Sequence, residues 1–329
     1  MQNGRRRFII IVALFVGAFV LTSMPISAAP FQAGQIFIAY GGSNIGVLAD
    51  TVSLAGTPVQ TLSISPSTFG TGTGLAGSGG IALDEFGNLY VTVQNYEGIT
   101  NRRGIIKFDV SGNIVRKIDG GTTTDFRGIS VQDGVIYVAS GSGIRRFDAT
   151  TGTAISPIIA SGTSFRDVAF DRHGNLYALL SNQVIRWSAG SFSGSGTVLF
   201  SIPAQDPRAM VIDEDSNIYI TFENTRVVRK YSLTGTLLAT YSTPTGTGSL
   251  IGLDYDPGTQ RLFASHTGTG IGQILWISKI APSGTTMTAF GPNNLSGVRW
   301  LAVYPTPEPA VTVLLAAGFL VLKRRLKRR

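Results

Sequence analysis

The feature that most constrains this chain is a unit that recurs about every 40 to 47 residues through its middle. Five segments share it: Gly80 to Val91 (GGIALDEFGNLY follows from Gly79, then V), Arg127 to Val138 (RGISVQDGVIYV), Arg166 to Ala178 (RDVAFDRHGNLYA), Arg208 to Ile220 (RAMVIDEDSNIYI) and Ile251 to Ala264 (IGLDYDPGTQRLFA). Their aromatic anchors, Tyr90, Tyr137, Tyr177, Tyr219 and Phe263, are spaced 47, 40, 42 and 44 residues apart. That period suits a four-stranded propeller blade and is too long for one coil of a typical β-solenoid.

Each unit opens on an alternating strand and turns on Asp84 with Gly87-Asn88, Asp171 with Gly174-Asn175, or Asp213 with Ser216-Asn217. The Asp side chain caps such a turn, and Gly or Asn takes the positive-φ position. A second strand follows at once. A second turn then recurs at Phe108-Asp109 to Gly112-Asn113, Phe147-Asp148 to Gly152-Thr153, Tyr231-Ser232 to Gly235-Thr236 and Ile280 to Gly284-Thr285. Two hairpins per repeat make four strands, and with 41 glycines and only 14% charged residues the chain reads as all-β.

The ends of the repeat region complement each other. Gly297 to Tyr304 (GVRWLAVY) reads as a first strand with no successor, and Gln35 to Tyr40 (QIFIAY) as a second strand with no predecessor. Further strands are expected near 44–49 and 58–64, so joining the two orphans completes a sixth blade. Such closure leaves no open sheet edge. The expected architecture is a six-bladed β-propeller over 30–305; the stretch 51–79 lacks the first strand that a seventh blade needs. The alternating strand, Asp-x-x-Gly-Asn turn, Leu-Tyr-Val strand and Phe-Asp-x-x-Gly turn together resemble NHL-repeat propellers, a class that includes lyases and hydrolases acting over the central channel and members that only bind partners.

The termini carry addresses. Arg5, Arg6 and Arg7 precede an apolar run from Phe8 to Leu21 and the small residues Ser27, Ala28 and Ala29. This is the order of a secretory signal, predicting cleavage after Ala29 and a domain boundary at 1–29. At the other end, Pro307-Glu308-Pro309 is followed by a 13-residue apolar run, 310–322, and the cluster Lys323, Arg324, Arg325, Lys327, Arg328, Arg329. Residues 306–329 thereby resemble the PEP-CTERM sorting tail. In that family an exosortase-type membrane enzyme recognises the motif, the tail serves as a short membrane anchor, and the proteins accompany exopolysaccharide and biofilm production. The resemblance implies export, an inner-membrane intermediate, and delivery to the cell surface or extracellular matrix of a Gram-negative-type bacterium. The run reaches only about 20 Å against a hydrocarbon core of about 30 Å, which suits a temporary anchor.

The formal charge of +8 does not mark a nucleic-acid binder. Nine of the 27 basic residues lie in the two terminal clusters; without them and Glu308, 18 basic residues face 18 acidic ones. The body is neutral, whereas nucleic-acid binding needs a basic patch on the folded domain.

Catalytic chemistry finds no footing. Cysteine is absent and the two histidines, His173 and His266, occupy non-equivalent positions, so neither a thiol nucleophile nor a three-His metal site is expected. Both histidines are expected in exposed turns. No catalytic residue, metal site or cofactor is therefore assigned.

One constellation stands out. Aligned on the first strand of each unit, Arg127, Arg166, Arg208 and Arg299 hold the same position in four of six blades, with Gly79 and Ile251 in the other two. Equivalent positions in a propeller form a ring, so four guanidiniums are expected at one mouth of the channel, where Arg forks suit carboxylate, phosphate or sulfate. Asp125, Asp167 and Asp206 stand near enough in sequence to neutralise three of them, which would make the ring structural instead. The leading expectation is a non-enzymatic binding or scaffold module with an acidic polysaccharide or surface protein as partner. The alternative is a lyase or hydrolase acting on an anionic sugar or ester at the channel mouth.

Overall fold

The turn chemistry written into each repeat forms as expected. In three blades the turn Asp takes main-chain N–H groups two and four residues ahead on Oδ1 and an Asn side chain on Oδ2: Asp84 with Asn88, Asp171 with Asn175, Asp213 with Asn217. The Oδ2 atoms also accept the hydroxyls of Tyr90, Tyr177 and Tyr219, each at 3.0 Å, and these three rings are fully buried. One carboxylate thus shapes a turn and satisfies the polar tip of a large core side chain, which would otherwise be costly to bury. Gly87 and Gly174 adopt φ of 79° and 75° in these turns, and Ser216 adopts 64° at the matching place in the third.

The computed structural model describes residues 30–40, 43–48, 58–64, 74–75, 79–267, 274–290 and 298–306. Blade 1 pairs Leu301–Val303, Ile36–Tyr40, Asn44–Leu48 and Pro58–Ser63, in that order from the inside. Blade 3 comprises Phe126–Gln132, Val135–Ser140, Gly143–Asp148 and Ala154–Ile159, and blade 4 comprises Asp167–Phe170, Leu176–Leu179, Gln183–Trp187 and Thr197–Ser201. Pro207–Ile212, Ile218–Phe222, Val227–Tyr231 and Leu237–Ser242 form blade 5; Leu250–Asp256, Arg261–His266, Ile274–Ser278 and Thr288–Phe290 form blade 6. In blade 2 the inner edge is split: Gly74–Leu75 and Ile81–Leu83 both pair with Leu89–Gln94, followed by Arg103–Phe108 and Ile114–Asp119. Gly74–Leu75 therefore belongs to blade 2, not to a further blade.

Neighbouring inner strands touch in order from blade 1 through blade 6 and back to blade 1, so the sheets form a closed six-bladed ring. The expected closure is present. Ile36 pairs with Val303, Phe37 with Ala302 and Ile38 with Leu301, and main-chain bonds at Gln35–Tyr304 and Ala39–Trp300 (both 2.9 Å) extend the seam. Second strands are apolar on both faces, as in Leu89–Gln94 and Ile218–Phe222, because each is flanked by strands within its blade and packed between blades above and below. Among the described residues no helix is long and apolar enough to cross a membrane; the signal segment with Ala29 and the tail with Pro307, Glu308 and Pro309 lie outside them.

Candidate anion site in the central channel

Inner strands crowd the axis, and the residue after the ring position shows how tightly. It is Gly80, Gly128 and Gly252 in three blades and Ala209 in a fourth. A β-carbon on Gly80 would lie 2.9 Å from the Arg127 carbonyl, and one on Gly252 would lie 3.0 Å from the Leu301 nitrogen. Blade 1 instead carries Trp300 at this position. Trp300 is the one residue that the walls of two cavities share among the described residues. Trp300 thus stands between two chambers of the axial channel.

The smaller chamber, about 120 Å³, is lined by Arg127, Arg166, Arg208, Arg299, Glu223 and Ile251 together with Trp300. Four arginines from four blades converge on one cup. Glu223 is the carboxylate in its lining, and Asp206 braces two of the guanidiniums: Nη2 of Arg208 lies 2.9 Å from Asp206 Oδ2, and Nη2 of Arg166 lies 3.3 Å from Oδ1. Arg208 also pairs with Glu223. Burial works to raise the Glu223 carboxyl, but the Ser249 hydroxyl and Arg208 outweigh it and hold the group below the usual range.

Arg127 is placed differently. Its Nη1 donates to Ser164 Oγ and the Phe165 carbonyl, both at 2.9 Å, and among the described residues no carboxylate reaches ion-pairing distance. Burial, then the neighbouring Arg166 guanidinium, push its basicity down, with Arg208 adding to the effect and Asp125 opposing it. Like charges held together in a half-buried cup repel by a few kcal/mol per pair at intermediate dielectric, an order-of-magnitude figure that an incoming anion reverses.

Two of the expected neutralising partners are engaged elsewhere. Asp125 pairs with Arg103 of blade 2, a contact the repeat alignment gives no hint of because Arg103 sits on a third strand. Asp167 turns along the channel wall: its Oδ1 accepts the Val168 N–H and its Oδ2 the Met210 N–H of blade 5, both at 2.8 Å. Of the three acids, Asp206 alone serves the ring. Glu223, at the exit of the second strand of blade 5, carries no repeat signal and is visible only in the fold.

The larger chamber, about 520 Å³, lies on the other side of Trp300 and includes Asp84, Glu85, Asp167 and Asp254 in its wall, with no Lys or Arg among its described lining residues. Asp254 bridges blades as Asp167 does, accepting the N–H of Tyr255 at 2.8 Å and that of Val303 in blade 1 at 2.7 Å. Burial pushes both carboxyls up to about 7, against the pull of those N–H donors. Among the described residues no group of three or more His, Cys, Asp or Glu is arranged to hold a metal ion. His173 is exposed in its turn, but His266, expected in an exposed turn, ends the second strand of blade 6 and is buried, because it falls within the strand at the place that the buried Val93, Ser140 and Phe222 hold in other blades.

No family model and no curated protein matches this chain. Among solved structures, that of a protein of unknown function from Bacteroides caccae is similar with a TM-score of 0.59 at 12% identity, over 82% of this chain and 98% of that one. A streptogramin B lyase structure aligns with a TM-score of 0.42 at 16% identity, over 66% of this chain and 74% of that one. The first likeness concerns fold alone, and the second is too loose to bear on chemistry.

Proposed function

We propose that this chain is an exported, surface-sorted propeller without catalytic activity, whose arginine cup binds an anionic group of a cell-surface or matrix polymer. The observation that carries the reading is the convergence of Arg127, Arg166, Arg208 and Arg299 on one cavity in which Arg127 has no carboxylate partner among the described residues. Arginine forks reach carboxylate, sulfate and phosphate oxygens from several sides at once, and a rigid ring holds them there before the ligand arrives. The tail resembling PEP-CTERM signals supports a destination where acidic polysaccharide is met, with an exosortase-type enzyme as the processing partner.

The alternative, a lyase or hydrolase on an anionic sugar or ester, draws on Asp167 and Asp254, whose carboxyls titrate at about 7 and so have the proton affinity of a general acid or base. Both oxygens of each are already occupied by main-chain N–H groups, and they line the chamber away from the arginines. Binding is therefore favoured over turnover. A glycan-array screen of residues 30–305 tests it: acidic glycans should be retained over neutral ones, and retention of neutral glycans alone would overturn the reading.

A further inference from the structure

The chain enters and leaves the propeller on one face. The inner strand of blade 1 leads from Arg299, which lines the arginine cup, to Tyr304, which with Pro305 lines the larger chamber. Five residue steps of extended strand span about 17 Å, so the two mouths open on opposite faces of the ring. Gln35 pairs with Tyr304 across the seam, which brings the N-terminal segment in on the chamber face as well.

The exit is held firmly. Thr306 donates its N–H and its hydroxyl to Asp256 Oδ1 of blade 6, at 2.9 and 2.8 Å, and a β-carbon on Gly258 would lie only 1.8 Å from the Thr306 hydroxyl. Only Pro307, Glu308 and Pro309 separate Thr306 from the apolar run 310–322. Four Cα steps reach at most about 14 Å, less than the radius of gyration of about 19 Å for a domain of this size. A tether that short keeps the chamber face turned to whatever holds the tail.

Exposed apolar side chains gather on that face. Phe86 and Ile280, 69% and 76% exposed, both tip turns there. They flank the exit: the Phe86 turn packs on Tyr304, where a β-carbon on Gly87 would meet the hydroxyl at 2.7 Å. Lys279, beside Ile280, donates its main-chain N–H to Gln260 in the turn that holds Thr306. Val59, Val115, Val198, Leu237 and Leu238 stand in the first two residues of outer strands, which start on the same face. Of the exposed large apolar side chains among the described residues, Ile99 alone lies toward the cup. Charge is sparse: the exposed charged residues of the described turns on this face are Glu85, Asp133, Arg172 and Asp215, and Asp215 pairs with Lys279. Such a face meets zwitterionic lipid with little repulsion, and apolar tips at an interface add to binding as they are buried.

We propose that, while the tail holds the protein in the membrane, the chamber face rests on the lipid surface with Phe86 and Ile280 at the contact, and the arginine cup points away from the bilayer. This rests on the sorting reading above. The cup is thereby open to polymer arriving from outside before the protein is released.

The chain has no cysteine, so single cysteines report one position each. Phe86→Cys, Ile280→Cys and Ala204→Cys, the last on an exposed loop beside Asp206 on the cup face, are labelled with bimane in the full chain. Each is reconstituted into phosphatidylcholine vesicles with and without a nitroxide on the lipid headgroup. The labels at 86 and 280 should lose more than half of their fluorescence to the nitroxide, and the label at 204 less than a tenth. Flotation with the vesicles but equal quenching at all three positions, or at none, overturns the orientation while leaving the anchor standing. Failure of the full chain to float with the vesicles overturns the anchor, and the orientation with it.

Discussion

The carboxylate of Asp167 occupies the space that a side chain at Gly128 would need: a β-carbon there would lie 1.6 Å from Oδ1. Blade 3 gives up a side chain so that blade 4 can send a carboxylate to the Met210 N–H of its other neighbour, blade 5. Gly128→Ala should therefore destabilise the domain by about 1–3 kcal/mol, the usual cost of overpacking. Adding Asp167→Ala should recover part of that loss. Chemical denaturation of the single and double variants checks this, and additive losses would show that the two positions do not compete for space.

The same carboxylate, with Asp254, sets a pH dependence. Both titrate at about 7 in the fold against about 3.9 in an unfolded chain, so the folded state binds the protons more tightly. Their contribution to stability is complete below about pH 4 and is lost as pH rises through about 7. Asp119, Asp171 and Glu214 are held below their ordinary values and act oppositely, but only as pH falls through the carboxylate range. Melting temperature should accordingly be higher at pH 5 than at pH 8. Asp167→Asn should remove roughly half of the difference, and a flat or rising wild-type profile over that interval would contradict the assignment.

The blades, the turns and the seam were legible because each is written as a repeat: Asp84, Asp171 and Asp213 announce the same turn three times. The equivalence of Arg127, Arg166, Arg208 and Arg299 was legible for the same reason. What the repeats do not encode is where an individual side chain turns in the crowded channel. Asp125 and Asp206 each precede an arginine by two residues, yet one pairs with Arg103 and the other with Arg166 and Arg208. The choice depends on neighbouring blades. Trp300 was likewise invisible as a partition, since its meaning lies in the small residues at the same position in other blades.

The seam between Leu301–Val303 and Ile36–Tyr40 holds the ring shut without any disulfide. Removing residues 298–306 would expose the edge of Ile36–Tyr40, discard the buried side chains of Val298, Leu301 and Val303, and leave Asp254 without the Val303 N–H. Several buried apolar side chains at roughly 1.5–3 kcal/mol each amount to a shift of at least about 10 °C in a domain this size. Calorimetry of the truncated domain should show that loss or an aggregated product. A soluble variant with unchanged melting would count against closure as the source of stability.

The sorting proposal is separable from the fold. Replacing Pro307, Glu308 and Pro309 with Ala should leave export intact and hold the protein in the inner membrane of a host that has an exosortase. Cell fractionation reads the outcome, and equal surface release of variant and parent would refute the motif.

Thermal melting with and without an acidic oligosaccharide shows whether the arginine cup binds an anion. Arg127→Gln is the informative variant because, among the described residues, its guanidinium has no carboxylate partner, so removing it strands none of their acids. At a ligand concentration near one hundred times Kd, wild type should gain about 2.7 kcal/mol, roughly 5–10 °C for a domain of this size. The gain should fall by more than half in Arg127→Gln and fade for wild type in about 1 M salt, where screening shortens to about 3 Å. Identical shifts in wild type and Arg127→Gln, or a wild-type shift indifferent to salt, would show that the cup is not the anion site.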